Sequence, residues 1–497
     1  MLRRAGLRHV ELLLTVPRET HRMDPSKAEL ADVIATITKE ALTYLDGLDD
    51  RMVVVPRADE ALASFDTRCP ESGEGTMEVL HQLLAEGIDA ATHSSGPRFF
   101  HFVIGGVTPA ALGADWVASL LDQNPGLWLG SPLGTRLETI SLSWLKEMFG
   151  LPKSWGGVLT TGAQMANYTA LACARHWWAE RHGVDIETNG FGGLPPAPVF
   201  SSGYVHASAV KAIGMLGLGQ ANLQMVTADD SGRLDLESLE RKLQELDGAP
   251  AILIGNAGEV NTGAFDPISE MADLAEKYNA WLHVDGAFGL FAAMSPRTDR
   301  LVAGIDRAHS VIADGHKWMN VPYDCGFSFV RDPELLPQTF RMTAAAYLVR
   351  GGNDKPDLAF MSPESSRRAR SLPLWATLRA YGREGYRTMV EGHLDLAQRV
   401  ARRVDDADDL ERMADVPLNI VCFRYHPADA PEGSLDELNA ALGKAILDDG
   451  RVYVGTTTYR GKVCFRPAIV NWRTRETDVD LMVDVIRELG AQVKSSR

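Results

Sequence analysis

The sequence predicts an α/β fold, a large domain on a mainly parallel seven-stranded sheet followed by a smaller α+β domain. Two observations carry this: short β-rich runs alternate with helical patterns through the middle of the chain, and polar residues recur just after the apolar runs. Composition permits a large core, since the 497 residues are 45% hydrophobic and 23% charged.

Taken in order, the first 22 residues are basic, but Glu11 interrupts their apolar run and no small-residue cleavage site follows, so they do not read as a signal peptide. Pro25 to Leu48 reads as one amphipathic helix, and the polar connector to Gly75 reads as a boundary. Helical stretches at about 107–122 and 134–149 precede a strand-like run at VLTT, from Val158. The β-rich runs are then PVFSS (198–202), LQMVT (223–227), AILIG (251–255), AWLHVD (280–285), HSVIAD (309–314) and CGFSFV (325–330). Helical patterns at 236–246 and 268–278 lie between several of them, as a parallel sheet covered on both faces requires. After Leu372 a long helical stretch leads to strands near 418–424, 451–454 and 462–466 and helices at 434–448 and 478–489. Three parts follow: an N-terminal helical segment (1–95), a large domain (96–371) and a small C-terminal domain (372–497).

A net charge of −16 with scattered Lys and Arg argues against nucleic acid or an anionic membrane as the main partner, and favours a small molecule. Five widely spaced cysteines without a CxxC pair suggest neither a disulfide framework nor a metal site, so a cytoplasmic setting is expected. There is no uninterrupted stretch of about 18 apolar residues to span a bilayer.

Ligands of open α/β sheets collect beyond the carboxyl ends of strands. HVDGAF (283–288) delivers Asp285 at such an end, where a carboxylate could pair with a pyridinium nitrogen; alone, it could equally be a helix N-cap. SVIADGHKWMN (310–320) delivers Lys317, 32 residues later, about one strand–helix–strand unit, so the pair can share a crevice. A lysine there can form an imine with an aldehyde cofactor, although most lysines are surface charges. VLTTGAQMANYTAL (158–171) places small residues at a helix N-terminus, a phosphate site or simply a capped helix. GMLGLGQ (214–220) lacks GxGxxG order and no Walker motif occurs, which disfavours nicotinamide and ATP.

With these residues in place, the chain from about residue 30 resembles the group II pyridoxal-5′-phosphate (PLP)-dependent amino acid decarboxylases, the aromatic-L-amino-acid and glutamate decarboxylase-like family. Its anchors are GPRFFHF (96–102), the segment from LDQNPGLWLGSP to LE (121–138), TTGAQMAN, YVHASAVKAIGMLGLG (204–219), HVDGAF, DGHKW and SRRARSLPLW (366–375). The resemblance implies the type I, aspartate aminotransferase-like fold and a homodimer with the N-terminal helix packed on the partner. It implies Lys317 as the imine-forming lysine, Asp285 as the pyridinium partner, His206 as the imidazole stacked on the ring and Ala287 as the small residue on the opposite face. It further implies Gly162, Ala163 and Gln164 as the phosphate turn, and Ser310 and His316 as phosphate or ring-proximal contacts. Tyr347, in the segment 340–360, matches the tyrosine that returns a proton to Cα after carbon dioxide departs. Arg466 matches an arginine near the site.

The chain departs from the pattern at Glu259-Val260, where the family often has paired threonines, at Ala163-Gln164, and in pocket segments around 102–106 and 124–126. The expected reaction is α-decarboxylation of an L-amino acid, an aromatic or other hydrophobic one favoured over glutamate. An aldehyde synthase, a carbon–carbon lyase or a transaminase could use the same site, because fold does not select the bond broken. A non-catalytic PLP-binding regulator would need a basic DNA-binding domain, which the Pro25–Leu48 helix does not supply.

Overall fold

The structure, a computed structural model, describes residues 27–55, 58–342, 352 and 354–496. These divide into two compact units, one of residues 27–47 and 58–91, the other of 48–55 and 92–496. In the first unit, helix α1 (Lys27–Gly47) buries none of its residues, and Leu30, Ile34 and Leu42 are exposed. The connector around Val53 belongs to the second unit because its backbone pairs there: Val53 donates to the Gly450 carbonyl and accepts from His93.

The second unit opens with α2 (Pro109–Leu121) and α3 (Pro132–Phe149), each starting with Pro behind a Thr or Ser cap. β1 (Gly156–Thr160) then leads into α4 (Ala163–Arg181), and β2 (Val199–Ser201) into α5 (Ala207–Met215). β3 (Leu223–Met225), α6 (Leu236–Glu245), β4 (Ala251–Asn256), α7 (Ile268–Lys277) and β5 (Ala280–Asp285) follow, and β6 (Ser310–Asp314) and β7 (Gly326–Val330) complete one seven-stranded sheet. Its order is β1-β7-β6-β5-β4-β2-β3, with β7 alone running against the others. Every residue of β4, β5, β6 and β7 is buried, which is why these strands read as continuous apolar runs instead of alternating ones. Registers Asn256↔Asp285 and Asp285↔Ile312 line up the carboxyl ends of β4, β5 and β6 along one edge.

α8 (Ser371–Asp405) is broken at Gly382, whose φ of 63° is the left-handed conformation that glycine tolerates. Beyond it a four-stranded antiparallel sheet forms from β8 (Leu410–Arg412), β9 (Phe423–Tyr425), β10 (Thr456–Tyr459) and β11 (Lys462–Phe465), in the order β10-β11-β9-β8. Helices α9 (Leu435–Asp449) and α10 (Glu476–Ser495) close a second core around Phe423, Phe465, Leu442 and Ile486. The strand expected at 451–454 is absent. Val452 and Val454 are buried in the second core while Tyr453 between them makes only a single bridge, to Phe99, so the apolar alternation reports burial and not sheet pairing. β8, in a charged stretch, lies outside the expected strands. Among the described residues, no helix is long and apolar enough to cross a membrane.

One ion pair ties the large sheet to its flanking helices. The Arg367 guanidinium, with no exposed side-chain surface, donates to Glu138 Oε1 at 2.9 Å and to the Leu159 carbonyl at 2.6 Å, while the Leu159 N–H donates to the same Glu138 oxygen. Removing one partner strands a buried charge, so Arg367→Met is expected to cost about 3–5 kcal/mol. A falling urea midpoint would register the loss, and adding Glu138→Leu should restore most of it.

Candidate active site

The carboxyl edge of the sheet gathers the chemistry. Asp285 ends β5 and Asp314 ends β6; the chain then turns through Gly315 and His316 to Lys317. The turn lies so close to the 102–106 segment that a Cβ on Gly105 would sit 1.7 Å from the Lys317 carbonyl oxygen. Lys317 Nζ enters a cavity of about 240 Å³ shared with Asp285, His206, Ala287 and Arg466, and Phe288 holds its ring centre 5.9 Å from Nζ. A second hollow, opening on Gly162, Ala163, Gln164, Asp314 and His316, shares His206 and Lys317 with the first. A larger cavity of about 820 Å³ along α8 contains neither Lys317 nor Asp285.

Both oxygens of Asp285 are held: Asn167 Nδ2 donates to Oδ2 at 2.8 Å and the Ala287 N–H to Oδ1 at 3.1 Å. His206 caps α5, its Nδ1 accepting from the Ser208 N–H at 3.2 Å, while its ring stays exposed toward the cavity. Crowding by the surrounding protein nevertheless dominates its acidity and lowers its pKa, opposed by Asp285 and reinforced by Lys317. Asp314 accepts the Ala163 N–H at 2.6 Å and lies 3.4 Å from both His316 Nε2 and Lys317 Nζ. Although burial, the largest influence, raises its pKa, Lys317, His316 and these hydrogen bonds together outweigh it and hold Asp314 below the ordinary carboxylate range. At Gly162 a Cβ would meet His316 Cε1 at 2.8 Å, so glycine lets the helix N-terminus close on the histidine.

Lys317, Asp285, His206, Ala287, Gly162, Ala163, Gln164 and His316 thus share one crevice. Ser310 does not. It opens β6, about 13 Å of strand before Asp314, and its fully buried hydroxyl is bonded to Trp281 and His283. Its expected role as a phosphate or ring-proximal contact is therefore corrected to an internal one. Tyr347 lies outside the described residues. Glu259 is turned into its own loop, accepting from Asn261 Nδ2 and from the Thr262 N–H and hydroxyl, so it presents no carboxylate to the cavity. Sequence reasoning missed Asn167 and Asp314; an Asp ending β6 just as Asp285 ends β5 was the available signal for the latter.

A primary amine, a carboxylate 32 residues upstream and a helix N-terminus whose positive dipole end opens on the same crevice are the donor set that PLP requires. The pyridoxal-dependent decarboxylase conserved domain matches residues 59–426. The chain belongs to that family. It is 31% identical to an aromatic-L-amino-acid decarboxylase of Bacillus atrophaeus, over 86% of this chain and 88% of the relative. It is 28% identical to an acidic amino acid decarboxylase of Mus musculus, over 86% and 79%. Among solved structures, the Oryza sativa protein TDC with PLP and tryptamine superposes with a TM-score of 0.87 at 24% identity, covering 95% of this chain and 99% of that one. This pyridoxal-dependent decarboxylase is accordingly a carboxy-lyase of amino acids with PLP as its cofactor.

Proposed function

We propose that the substrate is an L-amino acid with an aromatic or other hydrophobic side chain, converted to its amine and carbon dioxide at Lys317. The supporting observation is the charge inventory of the cavity. Phe102, Val103, Val260 and Phe288 supply apolar wall, and among the described lining residues the only cations are Lys317 and Arg466. Lys317 is committed to the cofactor. Arg466 is buried and donates through Nη1 to the Val260 carbonyl at 3.2 Å, and among the described residues no carboxylate lies within ion-pair distance of it. One guanidinium suffices for one carboxylate, the α-carboxylate common to all amino acids, and leaves none for an acidic side chain. Asp285, already held at both oxygens, leaves no free anion for a diamino acid.

Bound PLP supplies an electron sink for the pair released as the Cα–carboxylate bond breaks. With PLP bound, Asp285 would accept from the pyridine N–H, His206 and Ala287 would flank the ring, and Gly162, Ala163 and Gln164, with His316 beside them, would hold the phosphate. Tyr347, assigned from its motif alone, is the proposed donor of the proton that returns to Cα, the step that separates amine from aldehyde. A homodimer accompanies this reading, since the exposed Trp116, Val117, Leu120 and Leu121 make α2 an uncovered apolar face.

The test is mass spectrometry of products from a mixture of L-amino acids. An aromatic or aliphatic amine is expected; glutamate as preferred substrate would sink the pocket argument, while aldehyde or keto acid would displace the reaction assignment. Arg466→Gln is expected to raise KM by about 10- to 100-fold, the worth of a charged hydrogen bond. Inhibition assays should show a matching loss for substrate-like acids but little change for the corresponding amines.

A further inference from the structure

Behind Asp285 lies a line of polar side chains, Trp281, Ser310, His283 and Asn167, that never reaches the cavity. Ser310, His283 and Asn167 have no exposed surface and Trp281 has 1%. Polar groups enclosed this way cost free energy unless they are bonded, so a line of them on β5, β6 and α4 needs a reason.

The direction of each bond follows from what each atom can do. Trp281 Nε1 only donates, and does so to Ser310 Oγ at 3.0 Å. Asn167 Oδ1 only accepts, so His283 Nε2, 2.8 Å away, carries a proton. Burial pulls the His283 pKa down to about 4, against the charge of Asp285, so at neutral pH the ring has that single proton. Its Nδ1 is then an acceptor, and Ser310 donates to it at 2.9 Å. Asn167 Nδ2 passes its two hydrogens to Asp285 Oδ2 at 2.8 Å and to Ser208 Oγ at 3.3 Å. Ser208 in turn donates to His206 Nδ1 at 2.7 Å. Since that nitrogen also accepts the Ser208 N–H, the proton of neutral His206 sits on Nε2.

We propose that Trp281, Ser310, His283 and Asn167 form a one-way donor chain that orients the Asp285 carboxylate and fixes His206 with its proton on Nε2. His283 and Asn167 are thereby positioning residues for decarboxylation, acting through two groups that meet the cofactor. The chain forks at the Asn167 amide, so a single side chain sets both the group beneath the pyridine nitrogen and the ring beside it. Moving the His283 proton to Nδ1 would leave a bare Nε2 facing Asn167 Oδ1, and turning the amide to answer it would aim that oxygen at the Asp285 carboxylate.

The inference rests on the assignment of Asp285 and His206 to the cofactor, and the experiment separates the two. Holoenzymes carrying His283→Leu, His283→Gln and Ser310→Ala are compared with wild type for kcat, KM and the visible spectrum of bound PLP. His283→Leu is expected to lower kcat by about 10- to 100-fold, with KM changed less than about two-fold, and to alter the roughly 420 nm band. His283→Gln keeps a donor for Asn167 Oδ1 and should recover most of the loss. Ser310→Ala removes one hydroxyl and should shift the spectrum in the same sense, even if the leucine variant fails to fold. A spectrum and kcat unchanged in Ser310→Ala, or a loss in His283→Leu that glutamine does not relieve, overturns the chain. An unchanged spectrum in Asp285→Asn would instead remove the cofactor assignment beneath it.

Discussion

Lys317→Ala is expected to abolish the visible band that borohydride reduces in the wild-type protein, and to lower amine formation by at least on the order of 10³-fold. The size of the effect follows from placement. Lys317 is the only amine among the described residues lining the cavity, delivered there by a turn so tightly packed that Gly105 cannot bear a Cβ. Neither Arg466 nor His206 can replace a primary amine in covalent attachment. The variant should still bind PLP reversibly, because the helix N-terminus and Asp285 remain. Mixing it with a substrate amino acid should then give a slow spectral change without turnover. Borohydride followed by peptide mass mapping provides the check: a wild-type adduct on any lysine other than Lys317 would refute the assignment.

The parts of this site that were legible in the sequence are those written in short stretches. Asp285 and Lys317 each follow an apolar run, and both runs are fully buried strands whose carboxyl ends share an edge. Periodicity carried this far because a strand buried on both faces leaves an unbroken apolar signature and a polar residue marks its end. Asn167 shows the limit. Its helix puts it on the buried face, but its partners Asp285 and His283 lie 118 and 116 residues away, and no local pattern encodes a pairing at that distance. Ser310 shows a different one: a motif match made it a phosphate contact, although four residues of strand separate it from the edge where phosphate would bind. In the small sheet, Val452 and Val454 alternate like a strand because both are buried, while the adjacent Thr-rich β10, half of it exposed, carries the hydrogen bonds.

Asp285→Asn should lower kcat by about 10²- to 10³-fold, the range seen when one preorganised electrostatic partner is removed from a reacting centre. Two losses combine. The neutral amide no longer offers a full negative charge to a protonated pyridine nitrogen, so the electrons released with carbon dioxide meet a weaker sink. The amide is also mismatched to its own surroundings. Asn167 Nδ2 and the Ala287 N–H both donate to Asp285, one to each oxygen, whereas an asparagine there has a single acceptor and must turn its NH₂ toward a donor. Asp285→Glu keeps the charge but lengthens the side chain in a cavity of about 240 Å³, so it should retain cofactor while losing geometry, and its kcat should fall between the two. Steady-state amine formation with PLP content measured on the same samples decides the matter. Asp285→Asn holoenzyme turning over within about two-fold of wild type would mean that the pyridine nitrogen is served by another group.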